Sequence, residues 1–333
     1  MKIIRFHEFG GPDVLRVEDA ALPQPGSGEV RIKVAAIGLN RVEAIYRAGI
    51  FGPVSFPATI GYEAAGVVDA LGTGVDDLAV GDRVAVLYGL SMERYGTCAE
   101  QIVYPADRVV RVPASLSLVD AAASWMQYGT AYALVAIAAI VAGDHVLITA
   151  ASSSVGIAAI QIAIAHGAVP IAVTRTRDKR AALLALGASH VIVSDEQDVT
   201  AQIMAITAGQ GARVIFDAVG GEALSALLPA LASEGTAIVY GMLGGHEAHV
   251  PLAALMLRNL TLRGWSADVF THDPVRRRTL VDYVTAGLAS GKLRPVIART
   301  FPFEQVVEAH RYLESNMQVG KVILTTGAAH APC

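Results

Sequence analysis

Residues 150–156 read Ala-Ala-Ser-Ser-Ser-Val-Gly, directly after the run Val146-Leu147-Ile148-Thr149 and ahead of a long stretch of small and apolar residues. A strand that turns this tightly into a helix leaves the first helical amides without carbonyl partners. It also points the positive end of the helix dipole outward, where an anion is received. In the dinucleotide fingerprint the first glycine of such a turn permits the tight bend. The second lets the backbone approach a pyrophosphate, and the third lets helix and strand pack closely. Those places hold Ala151, Ser153 and Gly156, so only the third glycine is kept, while Ser153 and Ser154 add hydroxyl donors. Ser153, Ser154, Val155 and Gly156 are therefore candidates for a pyrophosphate cradle. The serines could also cap the helix, and the two roles are compatible.

After the next apolar run, ending at Val173, an enzyme that uses NAD usually places an Asp or Glu on the ribose 2′-hydroxyl. This chain has Thr174-Arg175-Thr176-Arg177-Asp178-Lys179-Arg180 instead. A carboxylate would repel a 2′-phosphate, whereas Arg175 and Lys179 would attract one through charge-assisted hydrogen bonds. The expected cofactor is NADPH, with Thr174, Arg175 and Lys179 around its adenosine phosphate. The competing reading is a solvated helix start with Asp178 as its N-cap.

These residues need a scaffold, and the pattern around them supplies one. Short strands are expected at 146–149, 169–173, 190–193, 213–217 and 236–240, separated by helices at 155–166, 179–186, 202–207 and 223–231. Strands alternating with helices of about ten residues imply right-handed crossovers and a doubly wound parallel sheet. Near-continuous apolar strands such as Val214-Ile215-Phe216 agree, because helices cover both faces of such a sheet. Upstream of about residue 120 the texture is mostly β, with runs such as Val30-Arg31-Ile32-Lys33-Val34 and Gly66-Val67-Val68. Beyond about residue 260 two further strands, at 261–264 and 321–324, are expected to return to the first domain. The apolar stretch 131–143 is expected to be a buried helix, too short to span a membrane.

Composition narrows the classes of function. A chain of 333 residues with 53% hydrophobic and 17% charged residues is a compact globular protein, with two domains as the default expectation. The net charge of −4 comes from interspersed signs, with no basic run carrying aromatics, so neither nucleic acid nor an anionic membrane is the expected partner. Two cysteines, Cys98 and Cys333, exclude a disulfide framework and a thiolate-rich zinc lobe within one chain, and fit a reducing, cytoplasmic compartment. The first residues lack the apolar core of a secretory signal. The final Ala-Ala-His-Ala-Pro-Cys is expected to fray.

Ordered motifs extend over nearly the whole chain: Gly61-Tyr62-Glu63-Ala64-Ala65-Gly66-Val67-Val68, Val80-Gly81-Asp82-Arg83-Val84, Gly96-Thr97-Cys98-Ala99-Glu100, the 150–156 turn, Leu186-Gly187-Ala188, Asp217-Ala218-Val219-Gly220 and Gly320-Lys321-Val322-Ile323-Leu324. In these the chain resembles the medium-chain dehydrogenase/reductase superfamily. The resemblance implies an α/β fold, with a GroES-like β domain over 1–122 completed by 262–333 and a Rossmann nucleotide domain over 123–261. It also implies an active site in the cleft between them. Zinc-dependent alcohol dehydrogenases of the superfamily hold catalytic zinc with a Cys, a His and a Cys or Asp, at positions that here carry Asn40, Tyr62 and Met126. None supplies a thiolate, imidazole or carboxylate, so no metal is expected.

Asn40-Arg41-Val42-Glu43-Ala44-Ile45-Tyr46-Arg47-Ala48-Gly49 and Trp125-Met126-Gln127-Tyr128-Gly129-Thr130-Ala131-Tyr132 resemble the quinone oxidoreductases in particular. That similarity puts Asn40 and Thr130 near the nicotinamide, with Gly241, Met242 and Leu243, after the last sheet strand, on its carboxamide. Ser194 stands where relatives often carry a Tyr. Without a Lewis acid, the acceptor must be polarised by hydrogen-bond donors, for which Asn40, Tyr46, Tyr62 and Thr130 are the candidates. A quinone or other conjugated carbonyl suits such a site because conjugation spreads the developing charge. Reduction of an enone, alkenal or enoyl thioester is the alternative, and NADPH binding with little turnover is another. Tyr62 and Tyr46 could instead be core tyrosines, and Asn40 could fix a turn through side-chain to backbone bonds. Relatives pair nucleotide domains edge to edge, so a homodimer is expected.

Overall fold

The computed structural model describes residues 1–327, and the terminal segment expected to fray lies outside them. The described chain forms two compact units. One comprises 1–126, 268–281 and 295–327, and the other 127–267 and 282–294.

The first unit is built on an eleven-residue strand, Glu29–Leu39. Its first half alternates exposed and buried side chains, and from Val34 onward every residue is buried. The buried end pairs antiparallel with Lys321–Thr325, the other end pairs with Gln101–Pro105, and the second edge pairs with Ala64–Leu71. Arg83–Val86, Val109–Arg111 and Ile297–Pro302 complete a seven-stranded sheet. A three-stranded sheet of Arg16–Asp19, Lys2–Phe6 and Ala58–Thr59 adds a second layer. Ile4, Phe6, Ile32, Ile37, Val86 and Leu324 are in one core, each contributing about 1.5–3 kcal/mol by leaving water. Gly38 is required by packing: a Cβ there would lie 2.2 Å from the Ala122 carbonyl oxygen and 2.8 Å from Lys321 Cε.

The second unit is a six-stranded, wholly parallel sheet in the spatial order His190–Val193, Val169–Thr174, His145–Ile148, Ala212–Asp217, Leu231–Val239, Thr261–Gly264. Numbered within the unit this is 3-2-1-4-5-6, the order of the doubly wound dinucleotide fold. The crossover helices include Ser154–Ala165, Arg180–Ala185, Val199–Ile206 and Gly221–Leu227. The order reverses between His145–Ile148 and Ala212–Asp217, and the crevice beyond the carboxyl ends of such strands is where the fold receives ligands.

Three expectations are corrected. The 131–143 stretch is not one buried helix: Ala133–Ala136 is helical, Ala139 takes a positive φ of 48°, and Val141 is 61% exposed. An apolar run has no helical period of its own, and this one serves as a packed connection. Thr261–Gly264 joins the nucleotide sheet beside Leu231–Val239, so that strand is not the last and the expected return to the first unit begins later. Residues 282–294 belong to the second unit as well. There the Tyr283 ring lies 4.9 Å from that of Tyr132, its hydroxyl meets His166 Nε2 at 3.1 Å, and Gln161 bonds both backbone groups of Arg294.

Candidate active site

At the end of His145–Ile148 the Thr149 hydroxyl donates to Asp217 Oδ1 at 2.7 Å and accepts from the Ala218 amide at 2.9 Å. The other Asp217 oxygen accepts from the Gly220 amide at 2.7 Å. This buried carboxylate is satisfied by neutral donors and ties the ends of the two central strands together. Ala150 then takes a positive φ of 45°, and the turn closes onto the helix Ser154–Ala165. Gly156 is the close-packing glycine: a Cβ there would meet Ala151 Cα and O, each at 2.6 Å. Ser153 is the N-cap, its Oγ accepting from the Gly156 amide at 3.0 Å. Capping leaves the Ser153 hydroxyl proton free to donate, and the amides of Ser154 and Val155 are too early in the helix to meet an intrahelical carbonyl.

Beside this turn the Lys179 ammonium donates to Ser152 Oγ at 3.2 Å. Burial lowers its pKa, and the neighbouring Arg175 charge adds to the lowering against Asp178. Two cations that disfavour one another are an anion-seeking pair. Arg175 is exposed and makes no ion pair among the described residues, while Arg177 is taken by Glu196 at 3.1 Å. Thr174 is buried, its carbonyl accepting from Ser194 N. Asp178 caps no helix: it accepts from the Thr176 hydroxyl, and the chain passes through a single turn, Arg177–Lys179, before Arg180–Ala185. These residues fit a phosphorylated dinucleotide, with a cradle that excludes a Cβ, early amides and two adjacent cations.

Gly241, Met242 and Leu243 lie against the 217–219 turn, with Leu243 N donating to Ala218 O at 3.2 Å and the ring of Tyr240 stacked on Phe216 at 4.1 Å. Thr130 is buried on Trp125–Ala131, its carbonyl accepting from Trp265 Nε1 at 3.0 Å.

Asn40, Tyr46 and Tyr62 are in the first unit. Asn40 starts the helix Arg41–Arg47 yet makes no side-chain cap. Its Oδ1 accepts from Lys321 Nζ at 2.6 Å, and its Nδ2 donates to Gly38 O at 2.9 Å and to Glu43 Oε1 at 3.4 Å. The amide is thus used at both ends, which corrects its expected part as a free donor and agrees with the turn-fixing alternative. Lys321 also donates to Glu63 Oε2 at 2.6 Å, and Glu63 Oε1 accepts from Met126 N at 3.0 Å. The Tyr62 hydroxyl donates its single proton to Asp268 Oδ2 at 3.1 Å, and burial followed by the Asp268 charge raises its pKa, so Tyr62 keeps only lone pairs for a ligand. Tyr46 packs edge-on against Phe6 at 5.7 Å, with its hydroxyl buried and unpartnered among the described residues.

Glu43, Glu63, Lys321, His310, Asp217 and Asp268 were not singled out by residue type and spacing. The available signal was a charge inside an apolar run, as in Gly-Lys321-Val-Ile-Leu and Tyr-Glu63-Ala-Ala. Among the described residues no group of three His, Cys, Asp or Glu converges as metal ligands, and no helix is long and apolar enough to cross a membrane.

The family model described as "Alcohol dehydrogenase GroES-like domain" matches residues 26–114, and that described as "Zinc-binding dehydrogenase" matches 154–272. A 2-haloacrylate reductase of Burkholderia sp is 31% identical, with 96% of this chain and 97% of that protein covered. Human quinone oxidoreductase is 32% identical, with 97% of each covered. The structure of Escherichia coli quinone oxidoreductase complexed with NADPH superposes with a TM-score of 0.91 at 29% identity, covering 98% of this chain and all of that one.

Proposed function

The chain belongs to the medium-chain dehydrogenase/reductase superfamily, in its quinone oxidoreductase branch, as an NADPH-dependent oxidoreductase, and we propose that it reduces a quinone or similarly conjugated carbonyl without zinc. The observation that carries the adenosine end is the Arg175 and Lys179 pair beside Ser152, at a position free of the carboxylate that would select NADH. Ser153, Ser154, Val155 and Gly156 hold the pyrophosphate, Thr174 lines the adenosine side, and Gly241, Met242 and Leu243 serve the carboxamide.

The bound nicotinamide supplies a hydride; the acceptor gains that hydride and one proton from water. The chain's own contribution is to position and to polarise. Thr130 in the nucleotide-binding unit and Tyr46 in the β unit are the hydroxyls assigned to the acceptor, and Asn40, fixed by its bonds to Lys321 and Gly38, adds the field of one oriented amide. Tyr62, committed to Asp268, orients through its ring. Such a field suits an acceptor whose developing charge is already spread by conjugation.

Zinc independence is supported by what stands at the metal positions of the dehydrogenases: an amide bonded to a lysine, a phenol on a carboxylate, and a thioether. The 2-haloacrylate reductase relative favours activated alkenes as the second reading. We also propose a cytoplasmic homodimer joined through Thr261–Gly264, an exposed edge strand flanked by exposed Met256 and Leu257, testable by sedimentation.

The experiment follows the near-ultraviolet absorbance of NADPH with zinc-depleted protein, offered a quinone panel and a panel of enals and haloacrylates. Oxidation with quinones is expected. Oxidation with the alkenes alone selects the second reading, and activity restored only by zinc contradicts both.

A further inference from the structure

Glu43 is fully buried in the helix Arg41–Arg47, and its Oε2 has no hydrogen-bond partner among the described residues. His310, also fully buried, comes from the helix Val306–Glu314, and neither ring nitrogen has a hydrogen-bond partner among the described residues. The two face each other, Nε2 to Oε2, at 3.8 Å. Two unsatisfied polar groups at this spacing, shut off from water, are too costly to remain so if both are bare acceptors. A neutral imidazole carries one N–H, and Nδ1 faces the Glu314 carboxylate at 3.9 Å, so the ring proton belongs there and Nε2 is the bare nitrogen toward Glu43. A proton on the Glu43 carboxyl then makes the pair donor and acceptor, in direct contact after a small closure or through one internal water.

We infer that Glu43 is a positioning residue whose protonated, neutral form leaves Asn40 held by Lys321 and Gly38, and that loss of this proton switches the hydride-accepting site off. The inference rests on the assignment of Asn40 to that site.

The charges around Glu43 decide which group carries the proton. Lys321 and Glu63 face it from the sheet side and largely cancel one another, being 2.6 Å apart. Arg41 and Arg47 share its helix, Glu314 lies on the opposite helix with Arg47 bonded to it, and Cys98 is buried nearby. Burial first, and then Arg47 and Arg41, hold the imidazole at about 3, so His310 is neutral. Burial outweighs Lys321 and lifts the Glu43 carboxyl to about 8. In the neutral form Glu43 Oε1 only grazes Asn40 Nδ2, at 3.4 Å, and Lys321 stays on Asn40 Oδ1 and Glu63. An ionised Glu43 competes with Glu63 for the ammonium and with Gly38 O for the Asn40 amide. It also brings a negative charge to a place where the arriving hydride builds another.

The test has two readouts. Wild-type kcat with NADPH is measured between neutral and alkaline pH, where a fall of about tenfold for each unit above about 8 is expected. Glu43→Gln, which cannot ionise, extends the plateau. Infrared difference spectra of the nucleotide-free protein follow the carbonyl stretch of a protonated carboxyl, which should be present at neutral pH, titrate with the same midpoint and vanish in Glu43→Gln. If that variant fails to fold, the wild-type spectrum decides: a missing band at neutral pH overturns the proposal. An unchanged alkaline limb in Glu43→Gln also overturns it. Asn40→Ser separates the two levels. A loss of hydride transfer there with an unmoved Glu43→Gln profile defeats the switch and keeps the site, whereas full activity in Asn40→Ser defeats the site assignment itself.

Discussion

Asp217 and Glu43 are both completely buried carboxyl groups beside residues assigned to the site, and they solve the problem of burial in opposite ways. Asp217 sits in the nucleotide-binding unit with the Gly220 amide and the Thr149 hydroxyl at 2.7 Å, so each of its oxygens has a neutral donor. Glu43 sits in the β unit, with one oxygen unpartnered and the other on a weak 3.4 Å contact, and so gives its charge up. Preorganised donors make a carboxylate part of the frame, whereas missing donors make it a titrating element. On this account the Asn40 cluster is where pH acts on the hydride-accepting site.

Substitutions can break this contrast, and the largest effect is expected at Lys321. Lys321→Met leaves Glu63 buried and unpaired and should cost about 3–5 kcal/mol in denaturant unfolding, most of it recovered by adding Glu63→Gln. No recovery in the double variant would mean that the pair is not the relevant contact. Asp217→Ala removes the Thr149 bond that joins the central strands and the Gly220 bond of its own turn, so a loss of about 2–3 kcal/mol and weaker NADPH binding are expected. An unchanged affinity would detach Asp217 from the cofactor turn.

The pH dependence of stability sharpens the comparison. The folded state raises Glu43 from 4.5 to about 8, so its contribution is complete below 4.5 and is lost as pH rises through 8. His310 falls from 6.5 to about 3, so its contribution is complete above 6.5 and is lost as pH falls through 3. The two slopes cancel between 4.5 and 6.5. Stability from this pair should therefore be flat there and should decline by about 1.4 kcal/mol per pH unit from 6.5 to about 8, a decline absent in Glu43→Gln. A decline of equal size in both proteins would place the titration elsewhere.

Arg175→Ala should weaken NADPH roughly tenfold to thirtyfold, about 1.4–2 kcal/mol, and leave NADH nearly unchanged. Equal losses for both nucleotides would remove Arg175 as the phosphate partner. The smallest effect is expected for Ser153→Ala, at about 1 kcal/mol of stability from the lost cap. A thermal melt that does not move would show that Ser153 contributes no cap.

How much of this was legible follows from the range over which each contact acts. The parallel sheet repeats a local period, so its strands could be read along the chain, and the 150–156 turn lies in one segment with its cap, Ser153, three residues from Gly156. Lys321 and Asn40 are separated by 281 residues, and Tyr62 and Asp268 by 206, so no spacing announces them. The 131–143 stretch differs for another reason: an apolar run carries the same signal whether it is a buried helix or a partly exposed connection with Ala139 at positive φ.

The central claim is that two cations beside a capped turn choose the phosphorylated dinucleotide. Calorimetric titration of the wild-type protein with NADPH and with NADH in the same buffer tests it directly. NADPH should bind at least about tenfold more tightly, with a preference that shrinks as salt is added; equal affinities, or a preference for NADH, would contradict it.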